Sequence, residues 1–327
     1  MSQLAEIVDK FSGKRIVVIG DTIGDQFVYG EISRVSREAP VFILRHEHTE
    51  TTPGGAGNCA ANLAALGARV RLISAVGNDE PGQMLLKQLR EAGVNCDEVV
   101  VHNRKTITKV RVLAGQIHST RQQVIRIDYD NQSPFDPETR ARLVSAMLKQ
   151  TSECDAAIIS DYNYGVADPK LLDGLNQTNP VSAPVIVDSR FRLSAFGGFT
   201  SATPNEDELA HLIGHEPCDP AEFQSTAEAL REKLGYDALL VTRGAHGMML
   251  IEKNKPPLHM EAVGSQQPVD VTGAGDTVIA TYTLALASGA TFPQAASLAN
   301  VAGGLVVMKR GTATVNAEEI RSHLTES

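Results

Sequence analysis

The chain of 327 residues is 42% hydrophobic, which suffices to bury a substantial core in one large α/β domain or two modest ones. This composition argues against a disordered chain, and the formal net charge of −9 argues against the broad basic surface that nucleic-acid binding needs. We expect no nucleic-acid partner, although a local basic pocket for a small anion is compatible with this charge.

Four cysteines are spread along the chain without paired spacing: Cys59, Cys96, Cys154 and Cys218. This distribution predicts free thiols in a reducing compartment rather than a disulfide framework. The N-terminal segment is polar and helical in pattern, without a basic and apolar leader, and no long uncharged apolar stretch follows it. We therefore expect a cytoplasmic protein with no membrane partner.

Along the chain, short runs rich in β-branched residues alternate with helical patterns. The runs that predict core strands are residues 15–20, 70–76, 156–160, 185–188 and 238–242. Such alternation is typical of an α/β fold in which helices cover both faces of a mostly parallel sheet. Ligands bind these sheets beyond the carboxyl ends of the strands, so we expect the site there.

Two stretches interrupt this alternation, residues 26–48 and residues 106–129. Each alternates apolar and polar side chains, which predicts antiparallel strands with one wet face. Because the two stretches share this character, we predict that they pair into a small β-sheet that covers the site as a lid. A lid of this kind exposes an apolar face, so we expect a homodimer that forms through it.

Polar and small residues follow the first predicted strand. Asp21 and Asp25 lie just beyond it, where carboxylates accept hydrogen bonds from ligand hydroxyls or, alternatively, close a structural turn. In the segment PGGAGNCAAN, Gly54 and Gly55 allow the backbone to approach a ligand, and Asn58 offers both donor and acceptor groups. The alternative for this segment is a glycine-rich helix start without a ligand.

A loop near the end of the chain, PVDVTGAGDT, precedes an apolar helical stretch. The small residues Gly273, Ala274 and Gly275 let main-chain N–H groups turn inward at the start of a helix, which makes an anion hole. Asp276 begins the same helix, in a suitable position for a general base. Phosphoryl transfer needs such a base, fixed positive dipoles and Mg²⁺. The alternative is an ordinary capped helix N-terminus.

Taken in chain order, these segments resemble the two signatures of the ribokinase-like family, also called the phosphofructokinase B (PfkB) family of carbohydrate kinases. The first signature corresponds to residues 54–58 and the second, DVTGAGD, to residues 270–276. The resemblance covers essentially the whole chain and implies a single ribokinase-like kinase domain over residues 1–327. It also implies ATP as phosphate donor, Mg²⁺ as cofactor, and Asp276 as catalytic base beside the anion hole of residues 273–275.

The same resemblance implies a set of nucleotide-binding residues. In the segment NEDE, Asn205 begins a motif whose Glu208 helps to hold Mg²⁺ through water. The residues implied to contact the nucleotide are Asn205, Glu208, Thr242, Gly244, Gly247 and, beside the adenine, Asn300. Without the resemblance, NEDE would be interpreted as a charged helix start and Asn300 as an ordinary polar helix residue.

Two further expectations from the resemblance concern charge near the phosphates. Arg190 stands where the family usually has a lysine, so we expect its guanidinium to take over that role. Many relatives bind a monovalent cation such as K⁺ beside the anion hole, which corresponds here to the neighbourhood of Asp270 and Thr272.

A narrower resemblance links the chain to the bacterial heptose 7-phosphate kinases. It is carried by residues 33–41, 121–130, 160–166, 239–260 and 270–279. These kinases phosphorylate the anomeric hydroxyl of D-glycero-β-D-manno-heptose 7-phosphate, a step toward the ADP-heptose used in lipopolysaccharide. Because the chain has no room for a second, cytidylyltransferase-like domain, the single-domain form is the expected one.

A sugar that already carries a phosphate needs a cation in its pocket. The predicted lid offers Arg34, Arg37, Lys109, Arg111 and Arg121. Because arginine binds phosphate in a bidentate manner, we expect Arg111 to contact the substrate, with Lys109 as a second substrate-binding residue. The alternative for most of these residues is a solvated position on an exposed strand.

Three alternatives compete with this interpretation. The first is another kinase of the same family, acting on ribose, fructose, a phosphorylated ketose or a nucleoside. The second is a catalytically silent sugar sensor or scaffold, against which the complete TGAGD loop argues. The third, an oxidoreductase, would need a glycine fingerprint after the first strand, where the chain has DTIGD instead.

Overall fold

The computed structural model describes residues 3–115, 121–130, 133–170, 172, 183–215, 217, 219–264 and 268–326. Its strands are β1 (Arg15–Gly20), β2 (Thr22–Val35), β3 (Phe42–Gly55), β4 (Arg69–Gly77), β5 (Val99–His102), β6 (Thr108–Gly115), β7 (Gln122–Tyr129), β8 (Ala156–Asp161), β9 (Val185–Ser189), β10 (Ser201–Ala202), β11 (Ala238–Thr242), β12 (Met248–Glu252) and β13 (Leu258–Met260). Its helices are α1 (Gln3–Val8), α2 (Ala56–Ala65), α3 (Glu80–Glu91), α4 (Pro137–Thr151), α5 (Glu206–Ile213), α6 (Pro220–Leu234), α7 (Ala274–Ala287), α8 (Phe292–Val306) and α9 (Ala317–Glu326).

The larger sheet has the strand order β13-β12-β11-β10-β9-β8-β1-β4-β5. From β11 to β5 every neighbouring pair is parallel, whereas β12 and β13 add antiparallel strands at one edge. The predicted mostly parallel sheet is therefore confirmed, and the first predicted strand has the observed bounds of β1. Because β1 lies inside the sheet, both of its faces are buried, which explains its continuous apolar run.

Helices cover both faces of this sheet. Successive strand residues point to opposite faces, so Val17 and Val18 of β1 belong to two separate hydrophobic clusters. The cluster with Val18 contains residues from α2, α7 and α8, and the cluster with Val17 contains residues from α4 and α6. This packing on both faces holds the strand ends, and the loops that follow them, in fixed relative positions.

A second, smaller sheet, which we call the lid sheet, has the order β3-β2-β6-β7. It consists of two antiparallel hairpins, β2 with β3 and β6 with β7. The hairpins are joined by parallel pairing of β2 with β6, which corrects the prediction of antiparallel strands throughout. The reason is that the chain passes through α2, β4, α3 and β5 between the hairpins and so returns in the direction of β2.

The lid strands also differ in extent from the predicted segments. β2 begins at Thr22 and β3 ends at Gly55, so Asp25 and Gly54 belong to the lid sheet. Residues 116–120 of the second predicted segment lie outside the described residues. The residues predicted to be ligand-binding near the N-terminus are therefore partly residues of the lid itself.

The two faces of the lid sheet differ in character. On one face the β6–β7 register aligns charged residues, Lys109 with Asp128 and Arg111 with Arg126. On the other face it aligns apolar residues, Val110 with Ile127 and Val112 with Ile125. Ile125 and Ile127 are 53% and 42% exposed, so this second face is apolar and uncovered in a single chain.

The described cysteines are free thiols, as predicted. Cys59, Cys96 and Cys154 are buried and unpaired, and Cys218 lies outside the described residues. Burial raises the pKa of the Cys59 thiol, so it stays protonated and unreactive. None of the helices in the described part of the chain has the length and apolar character required to span a bilayer.

Candidate active site

A cavity of about 650 Å³ lies between the lid sheet and the carboxyl ends of the main-sheet strands. Asp161, Asp188 and Thr242 line it from the ends of β8, β9 and β11. Asp25 and Lys109 line it from the lid sheet. The cavity thus occupies the position where a parallel α/β sheet binds its ligands.

The glycine loop before α7 forms one wall of this cavity. Gly273 has φ 77°, in the left-handed region that favours glycine, and a Cβ atom there would collide with the side-chain amide of Asn58. Gly275 faces open space: apart from its chain neighbours and the backbone of its own helix, no atom of the described residues lies within 4 Å of a Cβ built on it. Because N–H groups in the first turn of a helix lack intrahelical acceptors, this end of α7 can bind an anion.

Asp276 lies in the first turn of α7 and lines the cavity with only 6% of its surface exposed. Asn58 Nδ2 donates to its Oδ2 at 2.7 Å, and the Tyr162 hydroxyl donates to its Oδ1 at 3.2 Å. Burial raises the pKa of Asp276 to about 7, and these two hydrogen bonds oppose the rise. The carboxylate therefore has the proton affinity of a base that works near neutral pH.

A chain of side-chain amides orients Asn58. Asn62 follows one helical turn later on α2, and its Nδ2 donates to Asn58 Oδ1 at 3.2 Å. Thr277 Oγ1 in turn donates to Asn62 Oδ1 at 2.9 Å, which fixes the amide orientation of Asn62. We predicted that Asn58 would offer its amide to the ligand, whereas the structure directs that amide to Asp276 and leaves Asn58 outside the cavity lining.

Two further carboxylates, Asp188 and Glu208, line the cavity near Asp276. Burial raises the pKa of Asp188 well above its usual range, and the charges of Glu208 and Asp276 raise it further. A divalent cation relieves such repulsion, so the chemistry of the pair fits Mg²⁺. The described residues include no group of three or more His, Cys, Asp or Glu side chains that could hold a metal ion.

Asn205 and Glu208 are tied to each other at the start of α5. Asn205 Oδ1 accepts from the Glu208 N–H at 2.8 Å, and Glu208 Oε2 accepts from the Asn205 N–H at 3.0 Å. This capping box leaves Glu208 Oε1 to face Arg190, whose Nη1 lies 3.6 Å away. All of these residues line the cavity, so the structure brings the predicted Asn205, Glu208 and Arg190 together.

The other residues predicted for the nucleotide are only partly at the cavity. Thr242 lines it, whereas Gly244, Gly247 and Asn300 lie outside its lining. Gly247 has φ 78°, and a Cβ there would lie 2.6 Å from the N atom of Ala262. Asn300 Nδ2 donates to the Glu261 carbonyl at 2.7 Å. Gly247 and Asn300 thus hold the chain that follows β13.

The lid sheet contributes a charged wall. Arg111 forms an ion pair with Asp25, and Arg126 donates through Nε and Nη2 to the two oxygens of Asp128 at 2.7 and 2.6 Å. These residues and Lys109 all line the cavity. The other predicted lid cations do not line it: Arg34 and Arg37 are exposed, and Arg121 pairs with Glu47.

The two predicted glycines at the end of β3 have different positions. Gly55 lines the cavity with φ 57°, and a Cβ there would lie 2.6 Å from the carbonyl oxygen of Asp21. Gly54 is packed against the Asp25 carboxylate, so a side chain at Gly54 would displace that carboxylate. The two glycines therefore allow the backbone at the end of β3 to pass close to Asp21, which precedes β2, and to Asp25 on β2.

Asp21 supports the site without lining the cavity. Its carboxylate accepts backbone N–H groups from Tyr162 at 3.0 Å, Tyr164 at 3.1 Å and Val166 at 3.0 Å. Burial raises the pKa of Asp21 to about 6, and these hydrogen bonds oppose the rise. The carboxylate that we predicted to bind the ligand thus holds the loop that carries Tyr162.

Sequence reasoning did not assign roles to several cavity residues. Among them are Tyr162, Asp188, Arg126 and Asp128. A positional signal existed for two of them, since Tyr162 follows the last residue of β8 and Asp188 lies near the end of β9.

Asp270, near the glycine loop, accepts backbone N–H groups from Thr272 and Gly311, each at 2.9 Å. The monovalent cation expected near Asp270 and Thr272 stays a prediction.

The sequence profile described as pfkB family carbohydrate kinase matches residues 14–319 of the chain. The chain is 41% identical over 321 residues to a protein of Caulobacter vibrioides named "Bifunctional protein HldE". The aligned region covers 97% of this chain and 65% of that relative, so the chain spans somewhat less than two thirds of its length.

Solved structures with the same fold include two sugar kinases. Phosphofructokinase-2 from Escherichia coli, in complex with substrates and products, aligns with a TM-score of 0.78 at 19% identity over 95% of this chain and 99% of that one. Ribokinase from Arabidopsis thaliana, complexed with ribose and ATP, aligns with a TM-score of 0.73 at 20% identity over 97% and 100%. At these identities the likeness establishes the ribokinase-like fold alone.

Proposed function

Because the chain belongs to the pfkB family of carbohydrate kinases, we propose that it transfers phosphate from ATP to the anomeric hydroxyl of D-glycero-β-D-manno-heptose 7-phosphate. The observation that carries this proposal is Asp276, a buried carboxylate hydrogen-bonded to Asn58 and Tyr162 at a helix N-terminus that opens into the cavity. The similarity to the HldE protein and the resemblance to heptose 7-phosphate kinases support the narrower substrate.

In this mechanism Asp276 accepts the proton of the sugar hydroxyl as the hydroxyl oxygen attacks the γ-phosphorus of ATP. The bond from the γ-phosphorus to the β,γ-bridging oxygen breaks, and ADP leaves. A pKa of about 7 keeps much of the carboxylate ionised at neutral pH while preserving its affinity for the proton. Free main-chain N–H groups at the N-terminus of α7 would stabilise the negative charge that develops on the γ-phosphate; the Ala274 N–H instead donates to the Val271 carbonyl at 3.2 Å. Positioning and fixed dipoles therefore account for most of the catalysis.

Asp188 and Glu208 are the residues that would hold Mg²⁺, largely through water. When bound, this ion neutralises the charge on the β- and γ-phosphates. Asn205 and Thr242 line the same part of the cavity, which supports a nucleotide on this side. Arg190, 3.6 Å from Glu208, adds a positive charge that can reach a phosphate oxygen.

The acceptor sugar lies on the lid side of the cavity. Asp25 accepts hydrogen bonds from its hydroxyls, and the ion pair with Arg111 orients that carboxylate. The backbone at Gly55 lines the same side, where the absence of a side chain leaves room for the sugar. Aligned between Asp25 and Asp276, the sugar presents its anomeric hydroxyl to the base.

A homodimer and a cytoplasmic location are parts of the same proposal. The outer face of the lid sheet exposes Ile125 and Ile127, and a second copy of the chain would cover them. The buried free thiols Cys59, Cys96 and Cys154 suit a reducing compartment, which also supplies ATP.

The test is ATP turnover by the purified chain with heptose 7-phosphate, fructose 6-phosphate or ribose as acceptor. We expect the highest kcat/KM for heptose 7-phosphate and a product phosphorylated at the anomeric carbon, which ³¹P NMR identifies. A higher kcat/KM for ribose or fructose 6-phosphate would replace the proposed substrate but retain the kinase. Absence of phosphoryl transfer to every acceptor in the presence of Mg²⁺ would contradict the kinase itself.

A further inference from the structure

The cavity face of the lid sheet presents three cationic side chains, Lys109, Arg111 and Arg126. A substrate that carries a phosphate away from its reacting hydroxyl needs a cation that is not already neutralised. The surroundings of these three side chains differ enough to indicate which of them serves that purpose.

The two arginines already have carboxylate partners. Arg111 pairs with Asp25, its side chain is only 17% exposed, and its guanidinium lies 5.4 Å from the centroid of the Phe27 ring. Arg126 is held by Asp128 through two parallel N–H···O bonds of 2.7 and 2.6 Å. Breaking either pair to bind a phosphate would leave a carboxylate next to that phosphate, which is unfavourable.

Lys109 lies between these two pairs. The strand registers align it with Asp25 on β2 and with Asp128 on β7, yet in the described part of the chain neither carboxylate forms an ion pair with its ammonium group. Burial lowers the pKa of Lys109 and the charge of Arg126 lowers it further, while the charges of Asp25 and Asp128 partly oppose this shift. An ammonium in such surroundings gains more from an incoming anion than a solvated one does.

The position of Lys109 relative to Asp276 also suits a sugar phosphate. Its ammonium lies 5.6 Å from the centroid of the Tyr162 ring, and the hydroxyl of the same ring donates to Asp276. An acceptor that extends along this ring therefore has its reacting hydroxyl at Asp276 and its far end near Lys109.

From these contacts we infer that Lys109 is the residue that recognises the phosphate on the acceptor sugar and so sets the preference for phosphorylated over unphosphorylated acceptors. This inference rests on the proposed function and deepens it. Arg111, our first choice from the sequence, instead holds Asp25 in position for the sugar hydroxyls.

The test measures kcat/KM for two matched acceptor pairs, heptose 7-phosphate with heptose and fructose 6-phosphate with fructose. In Lys109→Met, we expect kcat/KM for the phosphorylated acceptor to fall by about 10- to 100-fold, the range of one charge-assisted hydrogen bond. For the unphosphorylated partner we expect a change of less than about threefold, since that sugar leaves the ammonium unused. Lys109→Arg should retain most of the preference.

Two further variants separate this role from a general effect on the lid sheet. Arg111→Met should lower kcat/KM for both members of a pair together, because Asp25 loses its partner. Arg45→Met removes a charge from β3 at a side chain that is 74% exposed and pairs with Glu31 at 3.6 Å, so its preference should equal that of the unchanged chain. Thermal unfolding of each variant checks that it is folded.

The outcomes distinguish the two proposals. If the unchanged chain prefers phosphorylated acceptors and Lys109→Met keeps that preference while folded, the role of Lys109 is overturned and the kinase proposal stands. If fructose 6-phosphate is the better acceptor, the heptose substrate is wrong. The role of Lys109 is then tested by the ratio of kcat/KM for fructose 6-phosphate to that for fructose. Equal use of phosphorylated and unphosphorylated sugars by the unchanged chain would overturn the role of Lys109 and the phosphorylated substrate, while the kinase activity itself would stand.

Discussion

At the scale of single residues, two opposing effects set the proton affinity of Asp276. Burial favours the neutral carboxyl, whereas the hydrogen bonds from Asn58 and Tyr162 favour the carboxylate. Burial also raises the pKa of the Tyr162 hydroxyl, so that group stays protonated and continues to donate. The resulting pKa of about 7 allows Asp276 to accept a proton and to release it again near neutral pH.

Replacing this base isolates the chemical step. In Asp276→Asn we expect kcat to fall by about 10²- to 10⁴-fold, because the amide cannot accept the hydroxyl proton. Affinity for ATP should stay within about threefold, since the nucleotide contacts other residues. Steady-state kinetics and calorimetric titration measure the two quantities, with the exposed Asp97→Asn as a control. A kcat within tenfold of the unchanged chain would exclude Asp276 as the base.

The pH dependence of the reaction reports the same residue. Because Asp276 acts as a base only when ionised, kcat/KM should rise with pH up to about 7 and then level. Tyr162→Phe removes a donor that stabilises the carboxylate, so the pKa rises and the acid limb moves to higher pH. Tyr129→Phe, on the exposed β7, should leave the limb in place. If the acidic part of the pH profile of kcat/KM did not move in Tyr162→Phe, the hydrogen bond from Tyr162 would not set the pKa of Asp276.

At the scale of secondary-structure elements, the loop after β8 depends on a residue from another strand. Asp21 follows β1, and its carboxylate accepts from three N–H groups of residues 162–166. The loop lacks regular structure, so it has few alternative acceptors for these groups. Asp21 therefore determines where Tyr162 lies and, through Tyr162, how Asp276 is hydrogen-bonded.

Removing this acceptor should destabilise the fold. In Asp21→Ala we expect the free energy of unfolding to fall by at least about 1–3 kcal/mol, the cost of one buried N–H left without an acceptor. The hydrogen bond from the Val166 N–H is buried, and those from Tyr162 and Tyr164 are partly buried. Urea unfolding followed by circular dichroism measures the change. Asp97→Ala, at an exposed residue hydrogen-bonded to Asn95, should cost less than about 1 kcal/mol. Equal stabilities of the two variants would show that Asp21 does not hold the loop.

At the scale of the whole molecule, charged and apolar residues alternate along β6 and β7, so one face of the lid sheet is charged and the other is apolar. The charged face closes the cavity, so the apolar face must point away from it. Apolar residues that are exposed on a regular sheet face favour association with another protein surface. A homodimer would use this face without obstructing access of the sugar to Asp25 and Lys109.

The dimer is tested at two exposed residues on the apolar face of the lid sheet. The chain should sediment as a dimer, and Ile125→Asp with Ile127→Asp should convert it to a monomer, because buried unpaired carboxylates oppose association. Leu148→Asp, at an apolar residue of α4 that is 40% exposed, should leave the dimer intact. Sedimentation velocity at micromolar concentration measures all three. A monomeric unchanged chain would contradict the dimer, and a double variant that stays dimeric would exclude this face.

The sequence by itself determined the α/β architecture, because burial on both faces of a parallel sheet demands short, continuous apolar runs such as that of β1. It also indicated Asp276 and the glycine loop, because a helix N-terminus that binds anions needs small residues at consecutive positions. Both signals are local, since they depend on the backbone and on neighbours within a few residues.

Only the tertiary structure decided which polar side chains act together. Asn58 and Asp276 lie 218 positions apart, and Arg111 meets Asp25 across 86 positions, so no local pattern could pair them. The parallel joining of the two lid hairpins had the same cause, since strand direction depends on the path of the whole chain between them. An ionisable side chain takes its function from the charges around it, and those charges come together only when the sheet, the helices and the lid have packed.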